Sequence, residues 1–190
     1  MKLTNRLIDD ETDSNEQEII KFGVEQLTTL VVGAFVTLII GVLLNEPIRT
    51  AMLLLCLLPL RQNAGGFHLS KKWSCTVVSV LLLITMILII KYLSIPRNMS
   101  IVLLALGSIP IVFLSPVGNA NRRLDQAEIR VFGNRAKMIW FAQTIVFFIL
   151  WILDLSQWYI IILLSITVSS LLVLLGFVQE HCKGDGLEHV

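Results

Sequence analysis

Charged residues are scarce in this 190-residue chain, at 15% of the total, whereas 55% of the residues are hydrophobic. The mean hydropathy is +0.80. A soluble domain of this size cannot bury so many leucine, isoleucine and valine side chains, so the composition predicts an integral membrane protein. The formal net charge of +1 gives no reason to expect nucleic-acid binding.

Cysteine is rare, with residues only at positions 56, 75 and 182. They show no C-x-x-C spacing and do not pair evenly, which indicates free thiols in or near a reducing compartment. His181 and Cys182 resemble half of a metal site, but no second pair exists, so neither a metal nor a cofactor is expected. The first 25 residues are polar and acidic, without an early apolar core, so a cleavable signal peptide is not expected.

Six apolar runs predict an all-α, polytopic bundle of about six transmembrane segments, in a single integral membrane domain over residues 1–190. The runs cover residues 27–44, 48–60, 73–93, 100–116, 138–153 and 158–178. The second run is short, because thirteen helical residues reach only about 20 Å across a core of roughly 30 Å. Either its helix continues through Ala64, or the following loop lies below the headgroups, shielded by protein.

The polar segments between these runs set the expected topology. Residues 1–25 contain a capping box at Ser14–Gln17, which predicts either an amphipathic helix on the membrane surface or a polar lead-in to the first span. Residues 117–137 are rich in arginine and predict a basic loop. With six spans, twelve of the fifteen Lys and Arg residues fall on the side that holds both termini. The positive-inside rule makes that side, with residues 61–75, cytoplasmic.

Residues 61–75 form a polar, glycine-bearing stretch between two apolar runs, and they are the candidate catalytic loop. His68 is followed by Cys75, and an imidazole that removes the proton of a thiol generates a nucleophile. On one continuous helix the two residues would lie about 10.5 Å apart along the axis, too far for a hydrogen bond. The pair therefore needs a bent backbone, which Gly65 and Gly66 make inexpensive. The alternative is an ordinary loop in which His68 is merely polar and Cys75 merely packs.

In this stretch the sequence resembles the accessory gene regulator B (AgrB) family, membrane-embedded cysteine endopeptidases of quorum sensing. The residues that carry the resemblance are Arg61, Gly66, His68 and Cys75. Gly65 stands at a position that varies in the family, and the basic loop, the length and the six-span pattern also agree. The resemblance implies a homodimer, in contact with membrane lipid, that cuts an AgrD-like propeptide on the C-terminal side of the future signal. Cys75 would form an acyl-enzyme thioester, which a substrate cysteine or serine attacks to give a thiolactone or lactone.

Other polar residues have candidate supporting roles. His68 would act as the base, oriented by a backbone carbonyl, Asn63 or Gln62. Arg61 either binds a substrate carboxylate, anchors the loop or reaches to the headgroups. Three arginines either steer an acidic substrate tail or only set the topology; they are Arg122, Arg123 and Arg130.

Two further residue types bear on packing and on competing functions. Asp125 and Glu128 are expected to pair with arginines, and Gln143 to form an interhelical hydrogen bond. A small peptide transporter is the main competing function, and a non-catalytic scaffold is another. Against transport, the chain has no matching pair of broken helices in its two halves and no acidic residue within a span.

Overall fold

The computed structural model describes the backbone of residues 14–67, 72–118 and 125–184. Side chains are described within these ranges except at 14–23, 25, 26, 29, 72–76 and 182–184. The described chain contains six helices and no strand, apart from one isolated bridge. The helices are α1 (Ser14–Leu43), α2 (Pro47–Ala64), α3 (Lys72–Tyr92), α4 (Arg97–Leu114), α5 (Gln126–Ile152) and α6 (Ser156–Gly184).

The predicted all-α membrane bundle is confirmed. Within the described ranges, three helical segments are long and apolar enough to cross a bilayer: Arg97–Leu114, Gln126–Ile152 and Ser156–His181. Shorter apolar helical stretches cover Leu30–Leu43 and Val77–Tyr92. Helix α2 does continue through Ala64, so its 18 residues extend about 27 Å. Helix α1 is continuous from Ser14, and residues 1–13 lie outside the described residues, so both alternatives for the N-terminal segment stay predictions.

The prediction of a basic loop over residues 117–137 is wrong in its C-terminal part, because α5 begins at Gln126. Asp125 caps this helix by accepting a hydrogen bond from the Gln126 N–H at 2.7 Å. The Glu128 carboxylate accepts one from the Asp125 N–H at 3.2 Å, which completes a capping box. Such a box satisfies N–H groups that have no partner within the helix. The two acidic residues therefore start a helix, and their expected pairing with arginines stays a prediction.

Helix α6 forms the centre of the bundle and packs against α2, α4 and α5. Its residues Tyr159 to Leu163 are almost completely buried, whereas Phe35 of α1 and Leu81 of α3 expose more than half of their side-chain surface. Exposed apolar side chains of this kind are what a helix presents to lipid. The predicted interhelical bond of Gln143 is confirmed: its Nε2 donates to the Cys56 carbonyl of α2 at 2.7 Å.

The two ends of the bundle differ in their polar contacts. The three cations assigned to the side opposite the candidate site all lie at the end where α2 begins. There the Lys91 Nζ donates to the Leu44 carbonyl at 2.7 Å, and the Arg97 Nη2 donates to the Trp151 carbonyl at 3.0 Å. Arg49 donates to Gln157, which joins α2 to α6. Residues 61–67 lie at the other end, where α2 finishes.

Candidate functional site

The backbone bends sharply after α2. Gly65 has a φ of 71° and Gly66 a φ of 116°, both in the region that side chains with a Cβ rarely adopt. Any other residue at these two positions would strain the backbone. The unusual backbone conformation expected of the glycine pair is therefore present, two residues before His68, whereas residues 68–71, over which the chain would fold back toward Cys75, lie outside the described residues.

Arg61 bridges this bend from the last turn of α2. Its Nη1 donates to the Gly65 carbonyl at 2.7 Å, and its Nη2 donates to the Phe67 carbonyl at 2.6 Å. The planar guanidinium can hold two acceptors at once because its N–H groups form a rigid fork. Of the three roles considered for Arg61, the geometry corresponds to the loop anchor.

The link between α4 and α5 supports the bend on a second side. The Val117 N–H donates to the Ala64 carbonyl at 3.1 Å, and Gly65 and Val117 form a parallel bridge. The Ser115 hydroxyl lies 3.5 Å from the same carbonyl. A Cβ on Gly65 would lie 2.1 Å from the Val117 carbonyl oxygen, so this contact also requires glycine.

Helix α6 supports the bend on a third side. The Phe67 N–H donates to the Leu172 carbonyl at 2.8 Å. Gly66 is buried, and a Cβ on it would lie 2.5 Å from the same carbonyl oxygen. Residues 64–67 are thus fixed by backbone and guanidinium hydrogen bonds to three different parts of the chain. The 64–67 segment is the name used below for these residues.

The predicted site residues fall into two groups. Arg61, Gly65 and Gly66 come together in the 64–67 segment, whereas Gln62 is exposed and the Asn63 Nδ2 donates to the Pro59 carbonyl at 2.7 Å. Arg130 is exposed on α5. The backbone at position 75 belongs to the first turns of α3. His68, the Cys75 side chain, Arg122 and Arg123 lie outside the described residues, and so the roles predicted for them stay predictions.

Sequence reasoning missed the residues that hold the bend from outside. Val117 follows the apolar run of α4. The Ser115-Pro116 step before it indicates that the span ends, but it does not predict the contact with Ala64. Leu172 and Gly176 lie inside the apolar run of α6, where a single glycine gives no warning of a close approach. Both contacts join residues more than fifty positions apart, beyond the reach of local periodicity.

An open apolar groove of about 400 Å³ lies between α3 and α6. It is lined by Val78, Leu81, Leu82, Thr85, Met86, Ile89, Leu164 and Val168. This lining can hold an apolar chain, and its one polar side chain, Thr85, donates its hydroxyl to the Leu81 carbonyl at 2.9 Å. Among the described residues, no three His, Cys, Asp or Glu side chains lie close enough together to hold a metal ion.

Comparison with known proteins gives one result. The sequence model of the family described as Accessory gene regulator B matches residues 1–175. No curated protein and no solved structure matches the chain. The matched region contains five complete helices, the 64–67 segment and positions 68 and 75. Because the match extends over most of the sequence, the chain belongs to the accessory gene regulator B family.

Proposed function

We propose that this protein is a membrane-embedded cysteine endopeptidase that removes the C-terminal tail of an AgrD-like propeptide and promotes its cyclisation. Family membership is consistent with a membrane protein in the maturation of an autoinducing peptide. The finer assignment is supported by the Arg61, Gly66, His68 and Cys75 pattern. The observation that carries it is the 64–67 segment, whose hydrogen bonds fix the position of Phe67, the residue directly before His68.

Chemistry at Cys75 has a physical basis in the start of α3. The helix begins at Lys72, so position 75 lies within its first turn. The N-terminal end of a helix carries partial positive charge and stabilises a thiolate there. The N–H groups of the same turn have no acceptor within the helix and are candidate donors for the oxyanion that forms on the scissile carbonyl.

The reaction has two acyl-transfer steps. In the first, His68 takes the proton from the Cys75 thiol, and Sγ attacks the scissile carbonyl. The C–N bond then breaks, His68 donates the proton to the leaving amine, and the peptide remains as a thioester on Cys75. In the second, a cysteine or serine of the bound peptide loses its proton to His68 and attacks the thioester carbonyl. The C–S bond to Cys75 breaks, Cys75 regains a proton, and a thiolactone or lactone ring leaves.

Exchange of a thioester with another thiol changes the free energy little, so the ring keeps part of the energy of the cleaved peptide bond. Water competes with the substrate nucleophile for the same thioester. A site at the membrane face that excludes water favours the cyclic product over hydrolysis. In this proposal the site faces the cytoplasm, because most Lys and Arg residues lie on its side of the bundle.

Two partner assignments belong to the same proposal. An acidic propeptide tail is attracted to the basic residues Arg122, Arg123 and Arg130, of which Arg130 is exposed in the first turns of α5. The protein works as a homodimer, surrounded by membrane lipid. Both assignments rest on the family resemblance and on charge.

The test is co-expression with a cognate propeptide, followed by mass spectrometry of the products. We expect a tail-less, cyclic peptide from the unmodified protein and none from Cys75→Ala or His68→Ala. Cys56→Ala is the matched control. We expect this variant to retain activity, because Cys56 packs against the apolar core of the bundle. Normal processing by either site variant would refute the endopeptidase mechanism.

A further inference from the structure

The 64–67 segment rests directly on the backbone of α6. A Cβ on Gly176 would lie 2.6 Å from the Cα of Gly66, 2.5 Å from its carbonyl carbon and 2.6 Å from the Phe67 nitrogen. Real Cβ atoms essentially never lie closer than 3.0 Å to heavy atoms outside their own residue and its chain neighbours. The neighbouring atoms are backbone, so they cannot rotate away as a side chain could.

The contact is needed for a specific hydrogen bond. The Phe67 N–H reaches the Leu172 carbonyl, one turn before Gly176 in α6, at 2.8 Å. A larger residue at 176 would push Gly66 and Phe67 away from the helix by roughly 1 Å, the difference between these distances and ordinary van der Waals contact. The bond from Phe67 to Leu172 would then be broken or badly lengthened.

We propose that Gly176 is a positioning residue for the reaction. By allowing the 64–67 segment to lie against α6, it sets the position of the Phe67 backbone, to which His68 is bonded. Phe67 is joined to His68 by the peptide bond, so a displacement of Phe67 also displaces the His68 backbone that carries the imidazole. Gly176 lies outside the 61–75 motif and one position beyond the matched family residues. This inference rests on the proposed endopeptidase function.

The test compares three glycine-to-alanine variants of the full-length protein in detergent or nanodiscs. Gly176→Ala is the test variant. Gly33→Ala is the open control, since nothing lies within 4 Å of a Cβ there. Gly107→Ala is the packing control, because its Cβ would lie 3.3 Å from the Thr167 Cα of α6, in the α4–α6 interface. This design separates a local displacement of the 64–67 segment from a general loosening of α6.

Three readouts are measured on each variant. The first is hydrogen exchange of the Phe67 amide, which needs neither substrate nor activity. The second is the pH dependence of Cys75 alkylation, and the third is the rate of propeptide processing. For Gly176→Ala we expect lost protection at Phe67, alkylation that shifts toward the pH of a free thiol at about 8.5, and processing slowed about 100-fold. The two control variants should match the unmodified protein in all three.

The outcomes separate this inference from the proposed function. Unchanged exchange at Phe67 in Gly176→Ala overturns it, and so does normal processing in a variant whose protection is lost. An equal loss in Gly107→Ala also overturns it, because the effect would then be general packing. If Cys75→Ala processes normally, the endopeptidase proposal fails, whereas a failure of Gly176→Ala to alter the readouts leaves that proposal intact.

Discussion

Replacement of Arg61 by lysine keeps the positive charge at the end of α2 but removes the planar fork that bridges two carbonyls. The Arg61 Nη1 and Nη2 atoms lie 2.7 and 2.6 Å from the carbonyl oxygens of Gly65 and Phe67. A lysine ammonium is a compact point charge and cannot reproduce this two-pronged geometry. Arg61→Lys therefore separates the role of anchor from the role of a charge that reaches the headgroups.

The size of the effect follows from the bonds lost. A hydrogen bond to a charged group contributes about 1.5–3 kcal/mol. If lysine retains one of the two bonds, the other is lost, and the lower end of this range applies because Arg61 is only partly buried. At 1.36 kcal/mol per factor of ten, a loss of about 1.5 kcal/mol expressed wholly in the reactive geometry slows processing about 13-fold. Arg61→Ala loses both bonds and should fall further.

The assay is the initial rate of tail removal from co-reconstituted propeptide in nanodiscs, with exchange of the Phe67 amide measured in parallel. Arg49→Lys is the matched control, since it makes the same substitution in the same helix at the opposite end of the bundle. We expect it to retain normal processing. Arg61→Lys at the rate of the unmodified protein would refute the anchor role and leave the charge as the reason for the arginine. An equal loss in Arg49→Lys would attribute the effect to α2 as a whole.

Two further predictions concern the bundle itself. Gln143→Leu removes both the bond to the Cys56 carbonyl and a buried Oε1 that has no partner among the described residues, so the free energy of unfolding should change by less than about 1 kcal/mol. Thermal unfolding in detergent measures this change in stability. Gln143→Ala is the control and should be less stable than Gln143→Leu, because it leaves a cavity. A loss much larger than about 1 kcal/mol in Gln143→Leu would contradict the prediction. Asp125→Ala removes the capping box of α5, should cost about 1 kcal/mol and should speed amide exchange over residues 126–130. Glu128→Gln keeps an acceptor and serves as its control, and unchanged exchange in Asp125→Ala would show that the box does not hold the start of α5.

The hydrophobic runs located the apolar helices more accurately than they located the first and last residues of those helices. Hydropathy reports contact with hydrocarbon, whereas a helix continues into the polar region as long as its end groups are satisfied. That is why α5 starts at Gln126, twelve residues before the apolar run that revealed it. The capping role of Asp125 and Glu128 was missed, because the arginines around them favoured a loop with ion pairs.

The bend at Gly65 and Gly66 could be predicted because glycine has a local conformational meaning. The role of Arg61 could not be chosen from three alternatives, since each alternative needs the same residue at the same helix end. The contacts of Val117 and Leu172 are even less predictable from the sequence. They use backbone atoms, and every residue type offers a carbonyl or an N–H, so the side chains at these positions carry no signal.

This reliance on backbone contacts explains why the 64–67 segment depends so strongly on a few residues. A connecting segment at a membrane face is ordinarily among the least stable parts of a fold. Here its carbonyls at positions 64, 65 and 67 and its N–H at 67 are all bonded, to the 115–118 link, to Arg61 and to α6. Helix α6 is the most deeply packed element, so a segment fastened to it inherits its rigidity. The fastening requires close backbone approach, and for that reason the sensitive positions are the glycines that permit it and the arginine that closes it, rather than any bulky side chain.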